Sequence, residues 1–370
     1  MEKHLVLAGG GHAHMQTLAN LSRFQEKGHR VTLIGPAEFH YYSGMGPGLL
    51  GGMYSPEMIR FQTRHTVEKQ GGSFVLGKVS RIDPREKILT LQSGQTIAYD
   101  LVSFNTGSQV PEPPISEDTQ DVFPVKPIEG LLKAQQRLVQ LGSVHPFRVA
   151  VIGGGPSSAE IAGNIHRLLA ENARYQAHIR IFAGQKFMAR FSDPVRSRVL
   201  ASLKKRSIEV LESGYVRHIT QHQAVLESGY HYEADIFFLA LGVKPSPIFK
   251  DSGLPTAADG GLLVNDFLQS TEYPDIFGGG DCIAFQKRPL NKVGVYAVRQ
   301  NPVLLHNLQA RLEHRPLIPF DPGGDYLLVF NLGDGTGVFQ KKGLVFNGRT
   351  AFRIKDWIDR RFMKKFQAME

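Results

Sequence analysis

The amino-acid sequence predicts an α/β protein with two Rossmann-like dinucleotide-binding domains, β-meander insertions and a small C-terminal α+β segment. Two observations predict this fold. In Leu5-Val-Leu-Ala-Gly-Gly-Gly-His-Ala-His14, a short apolar run meets three glycines and then a helical pattern. The same order returns at Val149-Ala-Val-Ile-Gly-Gly-Gly-Pro-Ser-Ser-Ala-Glu160. A strand, a glycine turn and a helix are typical of a βαβ dinucleotide site, where the helix N-terminus supplies N–H groups to a pyrophosphate.

The first glycine motif is imperfect, because the usual G-x-G-x-x spacing should end in glycine or alanine and ends here in His14. Taken alone, it favours an ordinary strand-turn-helix corner about as strongly as a dinucleotide site. A helix is predicted over residues 15–24 and a second strand over Arg30–Ile34. Gly35 follows that strand, where an acidic residue that holds a ribose hydroxyl is expected.

Residues 39–50 are too rich in glycine for a helix and too apolar for a solvated loop. They predict either a segment that lines a flat ligand, with Tyr42 and Pro47 as candidate contacts, or a packed Ω-loop. A helix is then predicted to begin at Ser55-Pro-Glu57, with serine as its cap and proline in its first turn.

A change of hydrophobic period to two predicts a β-meander after this helix. Residues 74–76, 79–82 and 88–91 form its expected strands. A buried strand then ends in Thr106-Gly107, and Pro111-Glu-Pro-Pro114 indicates a linker.

The second half repeats the first beyond the glycine turn, which indicates two homologous units rather than coincidence. In each half a Leu-x-Ser-Gly turn precedes an aspartate and then a strand that ends in glycine. The matched residues are Leu91–Gly94 and Leu226–Gly229, Asp100 and Asp235, and Gly107 and Gly242. We predict a first domain of residues 1–115 and 244–320, a second domain of residues 116–243, and a C-terminal segment of residues 321–370.

Composition and charge narrow the class of protein. No stretch approaches the ~18 apolar residues of a membrane span, and the N-terminus lacks the apolar core of a signal peptide, so we expect a cytoplasmic protein. The single cysteine, Cys282, excludes an intramolecular disulfide and a cysteine-based metal cluster, and no metal site is predicted. A net charge of +9 suits a protein that binds anionic cofactors. No nucleic-acid-binding module is recognisable, so no nucleic acid partner is expected.

A third glycine stretch, Pro274-Asp-Ile-Phe-Gly-Gly-Gly-Asp281, follows the second unit. An aspartate here can hydrogen-bond a polyol chain that crosses a helix N-terminus, and a Gly-Asp turn with a capping aspartate is the alternative. Together with the two glycine motifs and the strands that end in Thr106-Gly107 and Leu241-Gly242, this order resembles the two-dinucleotide-binding-domain flavoproteins. These form the pyridine nucleotide-disulfide oxidoreductase superfamily.

More narrowly, several segments resemble type II NADH dehydrogenases and a subgroup that in some organisms is fused ahead of selenophosphate synthetase. These segments are Gly9–His14, Tyr42–Met45, Val125–Ile128, Gly294–Gln300 and Lys355–Met363.

The resemblance implies FAD on the first unit, NAD(P)H on the second, and hydride transfer from nicotinamide to flavin. The implied cofactor-binding residues are Gly9, Gly10, Gly11, His12, His14, Tyr42, Pro47, Thr106, Gly107, Gly280 and Asp281 in the FAD domain, and Gly153, Gly154, Gly155, Ser158 and Gly242 in the NAD(P) domain. Asp281 would hold the ribityl chain. Glu160 matches a family glutamate that would orient the rings or handle protons; the alternative is a carboxylate that stabilises the helix N-terminus by ~0.3–1 kcal/mol.

Cysteine usage restricts the electron acceptor. Disulfide reductases and sulfide:quinone oxidoreductases need more than one cysteine, so a quinone or another small acceptor remains. Tyr296 and Gln300, four residues apart on a predicted helix, join Glu160 as candidate catalytic residues, with a plain core helix as the alternative. Two further hypotheses stay open: a soluble flavin reductase linked to selenium metabolism, and a non-catalytic flavoprotein scaffold or sensor.

The C-terminal segment is predicted to contain strands at residues 326–330 and 343–346 and a helix at residues 351–369. An apolar stripe runs along this helix, with basic residues elsewhere; the stripe consists of Ile354, Trp357, Ile358, Phe362 and Phe366. Docking on the body or formation of a homodimer is favoured. A peripheral position at the inner face of the membrane is the alternative.

The second nucleotide site leaves the choice of nucleotide open. Its strand at residues 178–182 ends in Ala183-Gly184, again without a ribose-binding acid, and Lys186 and Arg190 follow. A 2′-phosphate could be accommodated, so NADPH is as plausible as NADH.

Overall fold

Two five-stranded parallel sheets form the frame of the protein, and the middle strand of each leads into one of the two glycine turns. The computed structural model describes residues 2–143, 146–171 and 176–370. Later strands are added on both sides of each middle strand. Such a switch point is where open α/β sheets bind their ligands, beyond the carboxyl ends of the strands.

The first unit combines four strands of one parallel sheet with a separate antiparallel meander. Its strands are β1 (His4–Ala8), β2 (Arg30–Gly35), β3 (His40–Tyr41), β4 (Arg60–Phe61), β5 (Ser73–Leu76), β6 (Val79–Asp83), β7 (Ile88–Leu91), β8 (Thr96–Ala98) and β9 (Leu101–Phe104). Its helices are α1 (Met15–Leu18), α2 (Ser22–Gln25), α3 (Gly46–Leu50), α4 (Pro56–Ile59) and α5 (Thr63–Lys69). Strands β9, β1, β2 and β5 are adjacent in that order, and β6, β7 and β8 form the meander.

The helix predicted over residues 15–24 is broken into α1 and α2. Asn20 causes the break, because its side-chain amide donates to Gln16 O at 2.8 Å and its backbone N–H donates to Thr17 O. This local competition with the helical ladder is common for asparagine.

Two other predictions in this unit need correction. Residues 46–50 form α3 despite their glycines, because tertiary packing overrides weak helix propensity. Residues 74–76 belong to β5 of the parallel sheet, and the meander takes residues 96–98 as its third strand instead. A period of two identifies a strand but not the sheet that it joins.

The second unit has the same plan as the first. Its strands are β10 (Val122–Pro124), β11 (Phe147–Ile152), β12 (Ala177–Phe182), β13 (Glu209–Leu211), β14 (Val216–Thr220), β15 (Gln223–Leu226), β16 (His231–Glu233) and β17 (Ile236–Leu239), and its helices are α6 (Gly130–Gly142), α7 (Pro156–Ala170) and α8 (Asp193–Lys205). The parallel sheet has the order β10-β17-β11-β12-β13, and β14, β15 and β16 form an antiparallel meander.

The repeat between the units extends to single hydrogen bonds. Asp100 Oδ2 accepts the backbone N–H of His4 at 2.7 Å, and Asp235 Oδ2 accepts that of Arg148 at 2.7 Å. Both aspartates therefore tie the last strand of the unit to the start of the strand that enters the glycine turn. This shared contact explains why an aspartate occupies the same offset in both halves.

The chain after the second unit returns to the first sheet and then forms the C-terminal segment. Its elements are α9 (Ile248–Asp251), β18 (Leu262–Val264), β19 (Ile276–Gly278), β20 (Ile283–Phe285), α10 (Gly294–Leu312), β21 (Leu328–Asn331), β22 (Gly337–Lys341), β23 (Leu344–Gly348) and α11 (Arg349–Gln367). Strand β19 pairs in parallel with β9 and completes the first sheet. The antiparallel sheet β21-β22-β23 includes β22, which the sequence did not predict.

Helix α11 buries only part of the predicted apolar stripe. Trp357 is 60% exposed and Ile358 37% exposed, whereas Asp359, Met363 and Phe366 are buried. The apolar stripe therefore misplaces two of its five members, because a buried charge on this helix was not anticipated. In the part of the chain that the structure describes, every helix is too short or too polar to cross a membrane.

Gly153→Ala is expected to destabilise the fold. A Cβ at Gly153 would lie 2.1 Å from Ala240 O, and its φ of +144° is one that alanine rarely adopts. We expect a loss of about 3 kcal/mol or more in the free energy of unfolding, measured by urea titration. Gly155→Ala is the matched control, because Gly155 has φ −95° and no atom lies within 4 Å of its Cβ position. Equal stability of Gly153→Ala and wild type would contradict the close packing.

Candidate functional site

Asn105, which directly follows β9, holds the first glycine turn in shape. A Cβ on Gly9 would lie only 2.3 Å from Asn105 O. The side chain of Asn105 accepts the Ala13 N–H at 3.1 Å and donates to Gly279 O at 2.7 Å. One buried amide therefore joins the first glycine turn to the Gly-Asp stretch after β19.

His14 stands at the position of the third glycine of the usual motif, and its side chain stabilises the turn. It is fully buried, and its Nδ1 lies 2.7 Å from Gly9 O while its Nε2 lies 2.8 Å from Ser103 Oγ. Burial lowers the pKa of His14 to about 4, so the neutral ring donates to the carbonyl and accepts from the hydroxyl. Because both nitrogens have protein partners, any part of His14 in cofactor binding acts through the shape of the turn.

His12 lies in an aromatic cluster with an unsatisfied nitrogen. Its ring stacks on Phe362 with centroids 5.6 Å apart, and its Nδ1 lies 3.3 Å from Nε2 of His40. Burial lowers the pKa of both histidines, that of His40 to about 4. Among the described residues, none offers His12 Nε2 a hydrogen bond. An unpaired buried nitrogen is costly, so this atom fits a ligand that supplies the missing partner.

The glycines of residues 39–50 contact protein, as in a packed segment. A Cβ on Gly46 would lie 2.7 Å from Ile128 Cδ1, and Pro47 lies in the first turn of α3. Tyr42 is the member of this segment that adjoins the first glycine turn. Its ring lies 5.3 Å from that of His12, and its hydroxyl donates to Asp359 Oδ1 at 3.0 Å.

Gln300 positions the Gly-Asp stretch and does not line an acceptor surface. Its side chain is 1% exposed, and its Oε1 accepts the Gly280 N–H at 2.6 Å. Tyr296 instead packs edge-on against Tyr326 and lines a cavity of about 410 Å³ with Leu328. The predicted pairing of Tyr296 with Gln300 is therefore corrected, because spacing i, i+4 fixes a helix face but not the depth of each side chain.

Asp281 is an ion-paired carboxylate at the end of this stretch. Its Oδ2 accepts from Ser108 Oγ at 2.8 Å and from Lys126 Nζ at 3.0 Å. The adjacent Cys282 is fully buried with its thiol directed at Phe104 O, and burial raises the pKa of that thiol. Cys282 thus behaves as a small core residue rather than a nucleophile.

The second glycine turn combines close packing with an open face. A Cβ on Gly154 would lie 2.4 Å from Ala183 O, whereas no atom lies within 4 Å of the Cβ position of Gly155. Ser158 is buried, and its hydroxyl donates to Gly155 O at 2.6 Å. The backbone at Gly155 and the start of α7 therefore present open space at a helix N-terminus, as a pyrophosphate site requires.

Two equivalent glycines end the strands that flank the turns. Gly107 and Gly242 have φ of +71° and +84°, and the Cβ position of each faces open space. Thr106, beside Gly107, is exposed. The structure thus places the predicted strand-end residues of both units at the same edge as their glycine turns.

A cluster of charged side chains joins both units to the C-terminal helix. Lys355 Nζ donates to Asp359 Oδ2 at 2.6 Å and to Gly44 O at 2.7 Å, and the two side chains are only 12% and 7% exposed. Glu160, on α7, accepts the Asn331 N–H at 2.8 Å. Burial raises the pKa of Glu160 to about 7, although the charge of Lys355 and the hydrogen bond from Asn331 oppose the increase.

Sequence reasoning missed several residues of the site. The sequence gives only a weak indication that Asn105 belongs to the site, namely its position directly before Thr106-Gly107. No local pattern indicates the burial of Lys355 and Asp359, because it depends on partners more than 300 positions away in the chain.

The residues present fit two dinucleotide cofactors. Gly155 offers an open cradle at a helix N-terminus, and His12 Nε2 is a buried atom without a protein partner in the described structure. Fold and site together define a two-cofactor flavoprotein oxidoreductase. The chain belongs to the pyridine nucleotide-disulphide oxidoreductase family, whose model matches residues 3–307. Its cofactors are FAD and NAD(P)H.

Similar proteins share this plan at low identity. A type II NADH:quinone oxidoreductase of Staphylococcus saprophyticus is 23% identical, over 98% of this chain and 96% of that protein. The large subunit of the Escherichia coli nitrite reductase (NADH) is 28% identical over 60% of this chain, but only 26% of that subunit is covered. NDH2 of Plasmodium falciparum in complex with NADH has the same fold, with a TM-score of 0.82, 14% identity, and coverage of 100% of this chain and 98% of that one.

Asp281→Ala is expected to leave a folded protein that retains FAD less well. The substitution removes the acceptor of the Ser108 and Lys126 hydrogen bonds and the proposed partner of the ribityl hydroxyls. The fraction of flavin that remains after extensive dialysis, read by absorbance, measures the effect. Asp266→Ala, an aspartate outside this site, is the control. Undiminished flavin in Asp281→Ala would refute the ribityl assignment.

Glu160→Gln is expected to remove a pH dependence of stability. Because the folded pKa of Glu160 is about 7 and the ordinary value is 4.5, the folded state binds the proton more tightly, so stability falls as pH rises between these values. The difference corresponds to about 3 kcal/mol. Urea unfolding at pH 5 and pH 8 should show Glu160→Gln gaining stability over wild type only at pH 8. Glu171→Gln, at an exposed glutamate, should show no such gain.

Proposed function

We propose that this chain is a FAD-dependent NAD(P)H dehydrogenase of the type II NADH dehydrogenase kind, with a quinone as its most favoured acceptor. The observation that carries the proposal is the cluster of Glu160, Lys355 and Asp359. It brings a carboxylate from the second unit next to a helix that also contacts Tyr42 and Gly44 of the first unit. When bound, FAD supplies the chemistry, accepting a hydride from NAD(P)H and giving electrons to a second substrate.

The protein's own residues would bind and orient the two cofactors and exchange protons with them. The open backbone at Gly155 and the first glycine turn would hold the two pyrophosphates, and Asp281 with Lys126 would hold the polyol chain. Glu160 has a pKa of about 7, so its carboxyl oxygen can release or take up a proton at neutral pH. Lys355 keeps that pKa from rising further, and its positive charge would stabilise negative charge in a bound cofactor nearby.

The acceptor side rests on one cavity and one surface. The cavity beside Tyr296 and Tyr326 offers two aromatic rings to a planar acceptor, within a lining that is otherwise mostly polar and basic. The outer face of α11 exposes Trp357 and Ile358, with Arg361 positioned over the Trp357 ring. An aromatic and aliphatic surface flanked by basic residues suits an anionic membrane interface, where lipid-soluble quinones are dissolved. The quinone named in the staphylococcal relative supports this choice.

Anaerobic mixing with NADPH or NADH tests the first half of the proposal. The visible flavin bands should bleach with at least one nucleotide, and failure with both would refute the proposed function. Reoxidation should then be faster with a quinone than with oxygen alone.

The same reaction with a long-chain quinone in anionic vesicles tests the acceptor surface. Trp357→Ser should slow reoxidation by the vesicle-bound quinone and leave reoxidation by a water-soluble quinone analogue unchanged. If the substitution slowed both reactions equally, or slowed neither, a membrane-facing role of α11 would be contradicted.

A further inference from the structure

The second nucleotide site is unusual at the end of its second strand, β12. The glycine turn of the site does not explain the residues found there. After β12, Ala183 and Gly184 stand where a ribose-binding carboxylate is common, and the chain continues as a loop through Arg190. The loop is fixed against the glycine turn, because Met188 N–H donates to Gly154 O at 2.7 Å. Residues 184–190 therefore border the site in which the pyridine nucleotide would lie.

The carboxylate nearest this loop is already engaged. Glu212, which follows β13, accepts the Phe187 N–H at 2.5 Å. Both of its oxygens also accept from Arg196 Nη2, at 2.8 and 2.9 Å. A carboxylate with this many donors is neutralised and held in place, so it is poorly placed to bind the two hydroxyls of an adenosine ribose.

The loop carries positive charge instead. Lys186 and Arg190 are both exposed, and neither is within ion-pair distance of a carboxylate among the described residues, although the charge of Lys186 helps to lower the pKa of Glu212. Lys186 lies close to the glycine turn, since its backbone oxygen is 3.4 Å from the Cβ position of Gly154. Two exposed cations in the loop after the second strand suit the binding of a 2′-phosphate.

An aromatic ring completes the site. Tyr215 is 51% exposed, and its ring lies directly against Gly184, where a Cβ would be 2.5 Å from Tyr215 Cε1. Gly184 has φ +73°, and its carbonyl accepts the Gly214 N–H at 3.2 Å, which fixes the approach of the two loops. An exposed ring held beside the strand end offers a surface on which an adenine can stack.

We propose that Lys186, Arg190 and Tyr215 form a binding site for adenosine 2′-phosphate, so that this chain prefers NADPH to NADH. The cations contact the 2′-phosphate, and the tyrosine contacts the adenine. This inference rests on the proposed function, which identifies the ligand as a pyridine nucleotide. It adds the choice of NADPH and the three residues that select it.

Equilibrium binding to the FAD-loaded protein tests the site without any turnover. In calorimetric titrations, 2′,5′-ADP should bind at least tenfold more tightly than 5′-ADP, and this ratio should fall as salt concentration rises. Lys186→Ala and Arg190→Ala should each reduce the ratio several-fold by weakening 2′,5′-ADP alone. Tyr215→Ala should weaken both ligands by a similar factor and keep the ratio. Lys205→Ala, at an exposed lysine on α8, is the matched control and should leave both affinities unchanged.

The outcomes separate this inference from the proposed function. Equal affinity for the two ligands, tighter binding of 5′-ADP, or a ratio that survives loss of both cations would overturn the site. Flavin bleaching by NADH and not by NADPH would also overturn it and leave the proposed function intact. Selective binding of 2′,5′-ADP without bleaching by either nucleotide would support the site and refute the proposed function.

Discussion

The buried ion pair of Lys355 and Asp359 determines how the C-terminal helix meets the rest of the protein. A single charge buried without a partner would cost several kcal/mol, so the groups that satisfy the pair are as necessary as the pair itself. Lys355 donates to Gly44 O, and Asp359 accepts from Tyr42. Helix α11 can therefore seat correctly only when residues 42–44 are in place. Those residues adjoin α3, whose glycines allow close contact with Ile128 of the second unit.

The same pair sets the electrostatics of the site. Burial makes ionisation of Glu160 unfavourable, and the charge of Lys355 opposes that effect, so the pKa of about 7 is a compromise between the two. A carboxylate whose charge changes near neutral pH, next to a lysine whose charge is fixed, is a pattern typical of functional sites. The geometry achieves this with residues from three parts of the chain.

The sequence predicted those parts of the structure that depend on contiguous residues. Both glycine turns, the Gly-Asp stretch and the repeated aspartates are local patterns. The turns and the Gly-Asp stretch lie at the carboxyl edges of the sheets, and the aspartates lie at the opposite edges. Prediction failed where distant partners decide. The apolar stripe of α11 grouped Trp357 with residues that turn out to be buried, although Trp357 is exposed, because hydropathy cannot show that Lys355 finds its partners across the fold. Gln300 was predicted to share a catalytic face with Tyr296, and its actual partner could not be foreseen, since the N–H that it binds at Gly280 lies on another element.

Strand β19 pairs with β9, yet the whole second unit separates them in the chain. Because a chain emerges from the ribosome with its N-terminus first, strands β10 to β17 can assemble their sheet while the edge of β9 still lacks its neighbour. That unpaired edge exposes backbone groups that can pair with another chain. The first unit thus depends on late-synthesised residues to close its sheet, and shortening the chain before Ile276 would remove this protection while leaving the second sheet complete.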